Sequence, residues 1–352
     1  MNSTLMRREA LLTLSAGAAL LLIGCSGNGS SDDKAAPKAV DIGPVPADLY
    51  ERARKEGQLV IYASLSSDTT TSSFARAFNE AFPGITVKFV TGSASEVSAR
   101  YESEAQANVS QADIVLAGIG PFFEAGYERN WFRPILSVAP HLKEAYPEDA
   151  FAIGENALVV FRVVTGFAYN TDLVTGENVP RSFADFARPF WKNRLVASDP
   201  TSSDTAFQVW NAIYKAYGPS VVAQINANII PSSKKQLSFV PGAAKVGAGE
   251  AYGSLMQGEV TVQGLRKSGA PIAWVRPEVT TATTYILGIS AKAPHPAAAQ
   301  LFAYWAYSPA GQDALTPVNY SESALKGLPK GLLPPDEHIP PETRSHILSL
   351  LK

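Results

Sequence analysis

The sequence predicts an α/β fold with two lobes, built on mixed, mostly parallel β-sheets with a cleft between the lobes. Short apolar runs alternate with amphipathic helical patterns over residues 58–118 in the order β-α-β-α-β, which is typical of a parallel sheet. A long extended stretch follows at 156–174, and a second α/β pattern begins after it. Because this stretch is longer than a typical strand, we expect it to cross from one lobe to the other.

The first lobe opens with the apolar run QLVIYAS (58–64), which suits a buried parallel strand. Phe74, Phe78 and Phe82 then recur every four residues, so the next segment has the single apolar face of an amphipathic helix. The alternating run ITVKFV predicts a second strand, and the polar segment SEVSARYESEAQAN predicts a second helix. ADIVLAG (112–118) has the composition of another buried strand.

The second lobe shows the same alternation of strand and helix patterns. RLVASDP (194–200) predicts a strand, and TAFQVWNAIYKAYG (205–218) predicts a helix that ends at Gly218. Another helix follows, and the runs EAYGSLM and PIAWVRP predict two more strands. Beyond residue 275 the chain is expected to return to the first lobe. TYILGIS (284–290) predicts a strand that runs back, and helices are expected over PAAAQLFAYWAYS and after the capping pair Ser308-Pro309, with a last helix near the carboxyl terminus in the second lobe.

The amino terminus predicts export and lipidation. A basic segment precedes the apolar stretch LLTLSAGAALLLIG, which has the length of a signal sequence and is too short for a typical membrane span. Leu22-Ile23-Gly24-Cys25 resembles a bacterial lipobox, in which the lipidated cysteine becomes the mature amino terminus. An ordinary secretion signal or an uncleaved anchor is the alternative, and Arg7-Arg8 leaves the twin-arginine route open.

Cys25 is the only cysteine, and the segment after it is rich in Gly, Ser, Asp, Ala and Pro, as flexible tethers are. We therefore expect a folded body held by a lipid at the outer face of a bacterial membrane. The predicted organisation is a signal peptide at 1–24, a tether at 25–47, a first lobe at 48–165 with 276–316, and a second lobe at 166–275 with 317–352.

Composition and motifs exclude several classes of function. The 30 basic and 32 acidic residues nearly balance, and no long basic block indicates nucleic-acid binding. No two of the four histidines have metal-ligand spacing, so no metal or other cofactor is predicted. The serine-hydrolase, zinc-protease and phosphate-loop motifs are missing. Ser232 and Lys235 form a lone Ser-x-x-Lys without companion motifs, which leaves a Ser-Lys hydrolase as an alternative to the expected non-enzyme.

A hydroxyl-rich stretch, DPTSSDTAF, lies at 199–207, where a strand meets a helix. It carries Thr201, Ser202, Ser203 and Thr205. Such side chains cap the first N–H groups of a helix, and the same N–H groups attract anions, so either a helix cap or a ligand cradle fits the pattern.

A second hydroxyl cluster at 63–73 follows the first strand, and small residues at 117–126 follow another. Ligands of open α/β sheets bind at the carboxyl ends of the strands, so two such turns facing each other favour a ligand site.

Five segments together resemble the bacterial type 2 periplasmic solute-binding proteins of ABC importers, in lipoprotein form, and above all their ferric-ion, thiamine, phosphonate and phospho-sugar branch. The segments are EGQLVIYASL (56–65), GFAYNTDLV (166–174), FWKNRLVASDPTSSDTAF (190–207), KVGAGEAYGSL (245–255) and KAPHPAAAQLFAYWAYSPAGQDAL (292–315). The resemblance implies the type 2 periplasmic-binding-protein fold, closure of the two lobes on a small-molecule ligand, and delivery to the membrane subunits of an ABC permease. We expect a monomer.

The resemblance also implies ligand contacts in both lobes. The expected contacts are Ser64, Leu65 and Ser66 in the first lobe, Tyr169 and Asn170 at the crossover, and Thr201, Ser202, Ser203, Asp204, Thr205, Tyr252 and Glu259 in the second.

Two departures from the family pattern bear on the ligand. Ferric-ion members carry adjacent tyrosines where this chain has Gln257-Gly258-Glu259-Val260, so the anionic oxygen donors that iron prefers are missing there. Many relatives have glycine in place of Asp204. That carboxylate is a first-turn acid favoured by the helix dipole, a contact for a cationic or hydroxyl group, or a sign that anion binding is lost. We expect an organic anion, phosphorylated or zwitterionic; a ferric-iron receptor and a purely structural surface lipoprotein are the alternatives.

Overall fold

The computed structural model describes residues 45–65, 68–201, 204–233, 239–329, 331–333 and 339–352. Cys25 and the predicted signal peptide lie outside the described residues, as do Ser66, Ser202, Ser203 and Lys235.

The first half of the described chain alternates strands and helices as the apolar patterns predict. Its elements are α1 (Leu49–Glu56), β1 (Gln58–Ala63), α2 (Asp68–Ala81), β2 (Thr86–Thr91), α3 (Ala94–Gln106), β3 (Ile114–Gly118), α4 (Pro121–Glu128), β4 (Phe132–Arg133), α5 (Ile135–Val138), α6 (Leu142–Ala145), β5 (Phe151–Ala152) and β6 (Ala157–Asn170). Ser93 begins α3 with a capping box, in which its hydroxyl accepts from Glu96 N–H and the Glu96 carboxylate accepts from Ser93 N–H.

The second half contains β7 (Leu195–Val196), α7 (Asp204–Asn228), α8 (Phe239–Gly247), β8 (Gly253–Gly258), α9 (Glu259–Lys267), β9 (Ile272–Val275), β10 (Thr280–Ser290), α10 (Pro296–Ala306), α11 (Pro309–Leu315), β11 (Glu322–Ser323), β12 (Leu332–Leu333) and α12 (Pro341–Leu350). Short 3-10 turns lie at Glu148–Ala150, Gly176–Asn178, Phe183–Ala187, Pro189–Trp191, Pro231–Ser233 and Ala324–Lys326.

Several predicted helix ends are confirmed. Gly218 interrupts α7 with φ 80° and ψ 173°, a conformation that is essentially restricted to glycine, so the predicted helix does end there before the next one begins. The Ser308 hydroxyl accepts from Gly311 N–H at 3.0 Å and caps α11, with Pro309 at the first helical position.

The strands form one mixed sheet in the order β2-β1-β3-β10-β6-β8-β7, with the short strands at its sides. β1 pairs in parallel with β2 and β3, and β7 pairs in parallel with β8. All antiparallel pairs among the described residues involve β6 or β10. The parallel pairs therefore lie among β1, β2 and β3, between β7 and β8, and between β10 and β12, whereas every antiparallel pair of the described residues involves one of the two long strands β6 and β10.

The buried hydrophobic residues of the described ranges form four clusters, and the two largest, here called the first and the second core, flank these long strands. The first surrounds β1 and β3 and includes Phe78 and Trp305, and the second surrounds α7 and includes Trp191 and Trp210. β6 contributes Phe161 to the first core and Phe167 to the second. The stretch predicted to cross between two lobes therefore does so, whereas the lobe boundaries stay a prediction.

Candidate functional site

The hydroxyl-rich turn before α7 is partly described. Thr201 is exposed, and both its N–H and its hydroxyl donate to the Asp199 carboxylate, at 2.8 and 2.6 Å. Asp204 is the first residue of α7, and Thr205 is half-buried in its first turn. Because Ser202 and Ser203 lie outside the described residues, the predicted cradle stays a prediction.

The matching turn after β1 is tied to the neighbouring strands by its backbone. Ser64 N–H donates to the Leu116 carbonyl at 3.0 Å, and its own carbonyl accepts from the Tyr285 hydroxyl at 3.0 Å. Burial raises the pKa of Tyr285, so its hydroxyl retains the proton that it donates. Leu65 is buried in the first core.

At the end of β6, Asn170 has a structural role. It is 2 % exposed, and its amide nitrogen donates to the Val246 carbonyl at 2.8 Å. Its side-chain oxygen accepts from the N–H groups of Asp172 and Leu173 at 3.0 and 3.1 Å. These contacts form the turn that ends the strand. Tyr169, beside it, packs half-buried against the second core.

The other two predicted residues also have protein partners. The Arg194 guanidinium lies over the rings of both Phe190 and Tyr252, with its Cζ 4.8 and 4.7 Å from their centroids, which is a cation–π arrangement. Glu259 is the first residue of α9, and its carboxylate accepts from the Gln263 side chain at 3.0 Å.

A cavity of about 590 Å³ lies where elements of the two halves meet. It is lined by the turn between β3 and α4, by β6 and β10, by α7, and near the carboxyl terminus by Leu328, β12, Ile339 and α12. The apolar lining consists of Ile119, Gly120, Pro121, Phe151, Ala152, Val159, Ala282, Leu328, Leu332, Leu333 and Ile339, and the polar lining consists of Glu124, Asp149, Arg162, Gln208, Thr284 and Arg344. This volume is in the range of small-molecule sites, roughly 300–1,000 Å³.

Arg162 is the buried charge of this cavity. It is 3 % exposed, and its guanidinium donates to the carbonyls of Asp149 and Gly327 at 3.0 and 3.4 Å. Burial lowers the pKa of Arg162 and the nearby Asp149 carboxyl opposes that shift, but an arginine stays protonated at physiological pH. Among the described residues it makes no ion pair. The cavity wall therefore carries a buried cation held in place by two carbonyls.

The second arginine reaches the cavity from the carboxyl-terminal helix. Arg344 belongs to α12, and its Cζ lies 3.9 Å from the Phe207 ring centroid on α7. Gln208, the next residue of α7, lines the same cavity. The start of α7 is therefore joined to the cavity through its first turns and through this cation–π contact.

None of the predicted ligand contacts that the structure describes lines this cavity, although the small-residue turn at 117–126 does. Three polar residues of the lining were not predicted from the sequence, namely Arg162, Gln208 and Arg344. One signal for Arg162 was available, because a single charge stands inside the otherwise apolar run ALVVFRVV. Gln208 and Arg344 lie on ordinary amphipathic helices and carry no such signal.

The described ranges also bear on metal binding and on membrane insertion. Within them, no three His, Cys, Asp or Glu side chains come together as a metal site requires. None of the helices in the described part of the chain has the length and apolar composition needed to cross a membrane.

Comparisons with solved structures show the same fold in proteins of low sequence identity. The substrate-binding protein of an ABC transporter from Agrobacterium tumefaciens aligns with a TM-score of 0.66 and 17% identity over 84% of this chain and 94% of its own. Iron-bound HitA from Pseudomonas aeruginosa gives 0.61 and 19% over 84% and 98%. AfuA from Actinobacillus pleuropneumoniae, with exogenous fructose-6-phosphate bound, gives 0.58 and 21% over 84% and 96%.

No curated protein sequence matches the chain. The family model described as bacterial extracellular solute-binding protein matches residues 62–313, which is most of the described chain. The predicted two-lobed periplasmic-binding-protein fold is therefore confirmed, and this chain belongs to the bacterial extracellular solute-binding proteins.

Proposed function

We propose that this chain captures a small organic anion in the cavity around Arg162 and delivers it to the membrane subunits of an ABC importer. The observation that carries the proposal is a cavity of small-molecule size, with a buried cation on its wall, between elements of the two cores. A buried cation is costly without an anionic partner, so a site built around one favours an anion.

The proposed mechanism is closure of the two halves around the ligand. β6 contributes to both cores and lines the cavity together with β10, so a change in the bend of β6 would move α7 and α12 toward the turn between β3 and α4. A ligand that contacts both sides favours the closed state by its extra contacts there. A permease that recognises the closed form would then receive only loaded receptors.

A ligand panel tests this proposal on the full chain purified in detergent. An organic anion of the correct class is expected to raise the melting temperature, since saturation at about 100 times Kd stabilises by about 2.7 kcal/mol. Inertness to a broad panel of organic anions, phosphorylated and zwitterionic compounds included, would support the structural-lipoprotein alternative. Stabilisation by ferric ion alone would favour the iron receptor, and turnover of ester or lactam probes would favour the hydrolase.

We also propose that a lipid on Cys25 holds the protein at the outer face of the bacterial membrane. Cys25→Ser is expected to release the chain into the soluble fraction, because a chain without its acyl groups loses the apolar contact that retains it. The measurement is the distribution of the two forms between membrane and soluble fractions. Ser26→Ala, at the adjacent position, is the matched control and should remain with the membrane. Retention of the Cys25→Ser form would contradict the lipid anchor.

A further inference from the structure

We propose that the cavity selects an organic acid with one carboxylate and an apolar body. This inference rests on the proposed function and narrows its ligand. Three features of the described residues lead to it, namely the donors of Arg162, the positions of the acidic side chains, and the composition of the carboxyl-terminal wall.

The Arg162 guanidinium has more donors than its protein partners use. It carries five N–H groups, and two hydrogen bonds to backbone carbonyls are its contacts among the described residues. The residue is 3 % exposed and lines the cavity, so its remaining donors can be reached only from the cavity side. A carboxylate accepts two parallel N–H bonds from a guanidinium, which makes it a fitting partner in shape and in charge.

The acidic side chains of the lining limit the charge of the ligand. Glu124 and Asp149 are both exposed, whereas Arg162 is buried. The Asp149 carboxylate already accepts from Leu328 N–H at 3.0 Å. The two acids and the two arginines of the lining cancel in net charge. A doubly charged phosphate would meet repulsion from both acids, while a single carboxylate can reach Arg162 with one negative charge.

The rest of the wall is mostly hydrocarbon. Leu328, Leu332, Leu333 and Ile339 supply it from the carboxyl-terminal segment, and β12 holds Leu332 and Leu333 against β10. Gln208 and Thr284 are the neutral polar side chains of the lining. A sugar would bury several hydroxyls without partners, which is costly, whereas an apolar body is stabilised by leaving water for this wall.

The test uses hexanoate and phenylacetate as probes, and their uncharged amides are the matched controls. Fructose-6-phosphate and ferric citrate represent the two alternative ligand classes. Binding to the full chain in detergent is measured by calorimetry. Both acids are expected to bind and both amides to bind at least tenfold more weakly. Arg162→Gln is expected to weaken the acids by about 10- to 100-fold, as loss of a charged hydrogen bond does. Arg54→Gln, an exposed arginine on α1, is the control and should change nothing.

A second variant tests the apolar wall without removing the buried charge. Leu333→Trp fills part of the cavity, so phenylacetate should lose at least tenfold in affinity while the smaller propionate is retained. Leu173→Trp makes the same change at an exposed leucine outside the cavity and should bind both acids normally. This pair decides the inference even where Arg162→Gln fails to fold.

Three results would overturn the inference. Equal binding of acids and amides would remove the role of the carboxylate. Unchanged phenylacetate affinity in Leu333→Trp would remove the role of the wall. Tighter binding of fructose-6-phosphate or ferric citrate, retained in Arg162→Gln, would overturn the ligand class while leaving the proposed receptor function intact. If no probe binds and the broad panel is also inert, the receptor function fails with it.

Discussion

Asp113→Ala is expected to lower the free energy of unfolding by about 4 kcal/mol, because it leaves buried donors without acceptors. Asp113 is fully buried at the start of β3. Its carboxylate accepts from Val60 N–H at 2.7 Å and from His295 N–H at 2.6 Å, and it lies 2.9 Å from His295 Nδ1. One side chain thereby joins β1 to the residue that precedes α10.

Urea unfolding measures the free energy of unfolding of this variant. It is compared with one variant that keeps part of the acceptor and with one exposed control. Asp113→Asn keeps one acceptor oxygen, so we expect it to lose about half as much stability as the alanine variant. Asp48→Ala removes an exposed acid that pairs with Arg52 on α1, and it should change stability by less than about 1 kcal/mol. An alanine variant as stable as the Asp48 control would show that the buried carboxylate contributes nothing to the fold.

Gly166→Ala is expected to destabilise the protein by about 3 kcal/mol, since the added methyl group has no space. Gly166 lies in β6, and a Cβ there would come within 2.3 Å of the Val275 carbonyl oxygen and 2.6 Å of the Trp274 ring. The carbonyl belongs to paired backbone in β9, and the indole N–H donates to the Gln257 carbonyl at 2.8 Å. Neither neighbour can move without breaking a contact between strands.

Chemical denaturation compares this variant with Gly258→Ala, which changes a glycine of the adjacent strand β8. A Cβ at Gly258 would meet its nearest neighbour at 3.9 Å, and its φ of −76° suits any residue. We therefore expect the control to stay within about 0.5 kcal/mol of the parent. Equal stability of the two variants would mean that the strands separate there at little cost. Because β6 passes through both cores, ligand affinity of the Gly166 variant should fall with its stability.

Much of the fold could be predicted because its signals are local. The phenylalanines of α2, the apolar run of β1 and the capping pair before α11 each specify an element from residues next to one another. The helices α1, α4, α8 and α9 are among the elements that were not predicted from the sequence. Each has nine residues or fewer, which is too short for an isolated helix to be stable, so tertiary packing decides them.

The cavity could not be predicted in the same way. Its polar lining comes from positions far apart along the chain, namely Arg162, Gln208 and Arg344. They come together only because β12 pairs with β10 and α12 packs on α7. The hydroxyl-rich turns are each formed by neighbouring residues, so the ligand contacts were predicted there, at the ends of the strands. Arg162, a single charge inside an apolar strand, is the weaker local signal, and it points to the cavity instead.

The position of β10 has a consequence for the time at which the first core can form. This strand lies between β3 and β6, and the hydrogen bond from Tyr101 to Ser290 joins residues 189 positions apart. The amino-terminal half therefore stays incomplete on the ribosome until nearly the whole chain has been made, and contacts at such separation form slowly. For a chain that is exported as proposed, this delay would keep the chain unfolded while it crosses the membrane, so that it folds on the far side.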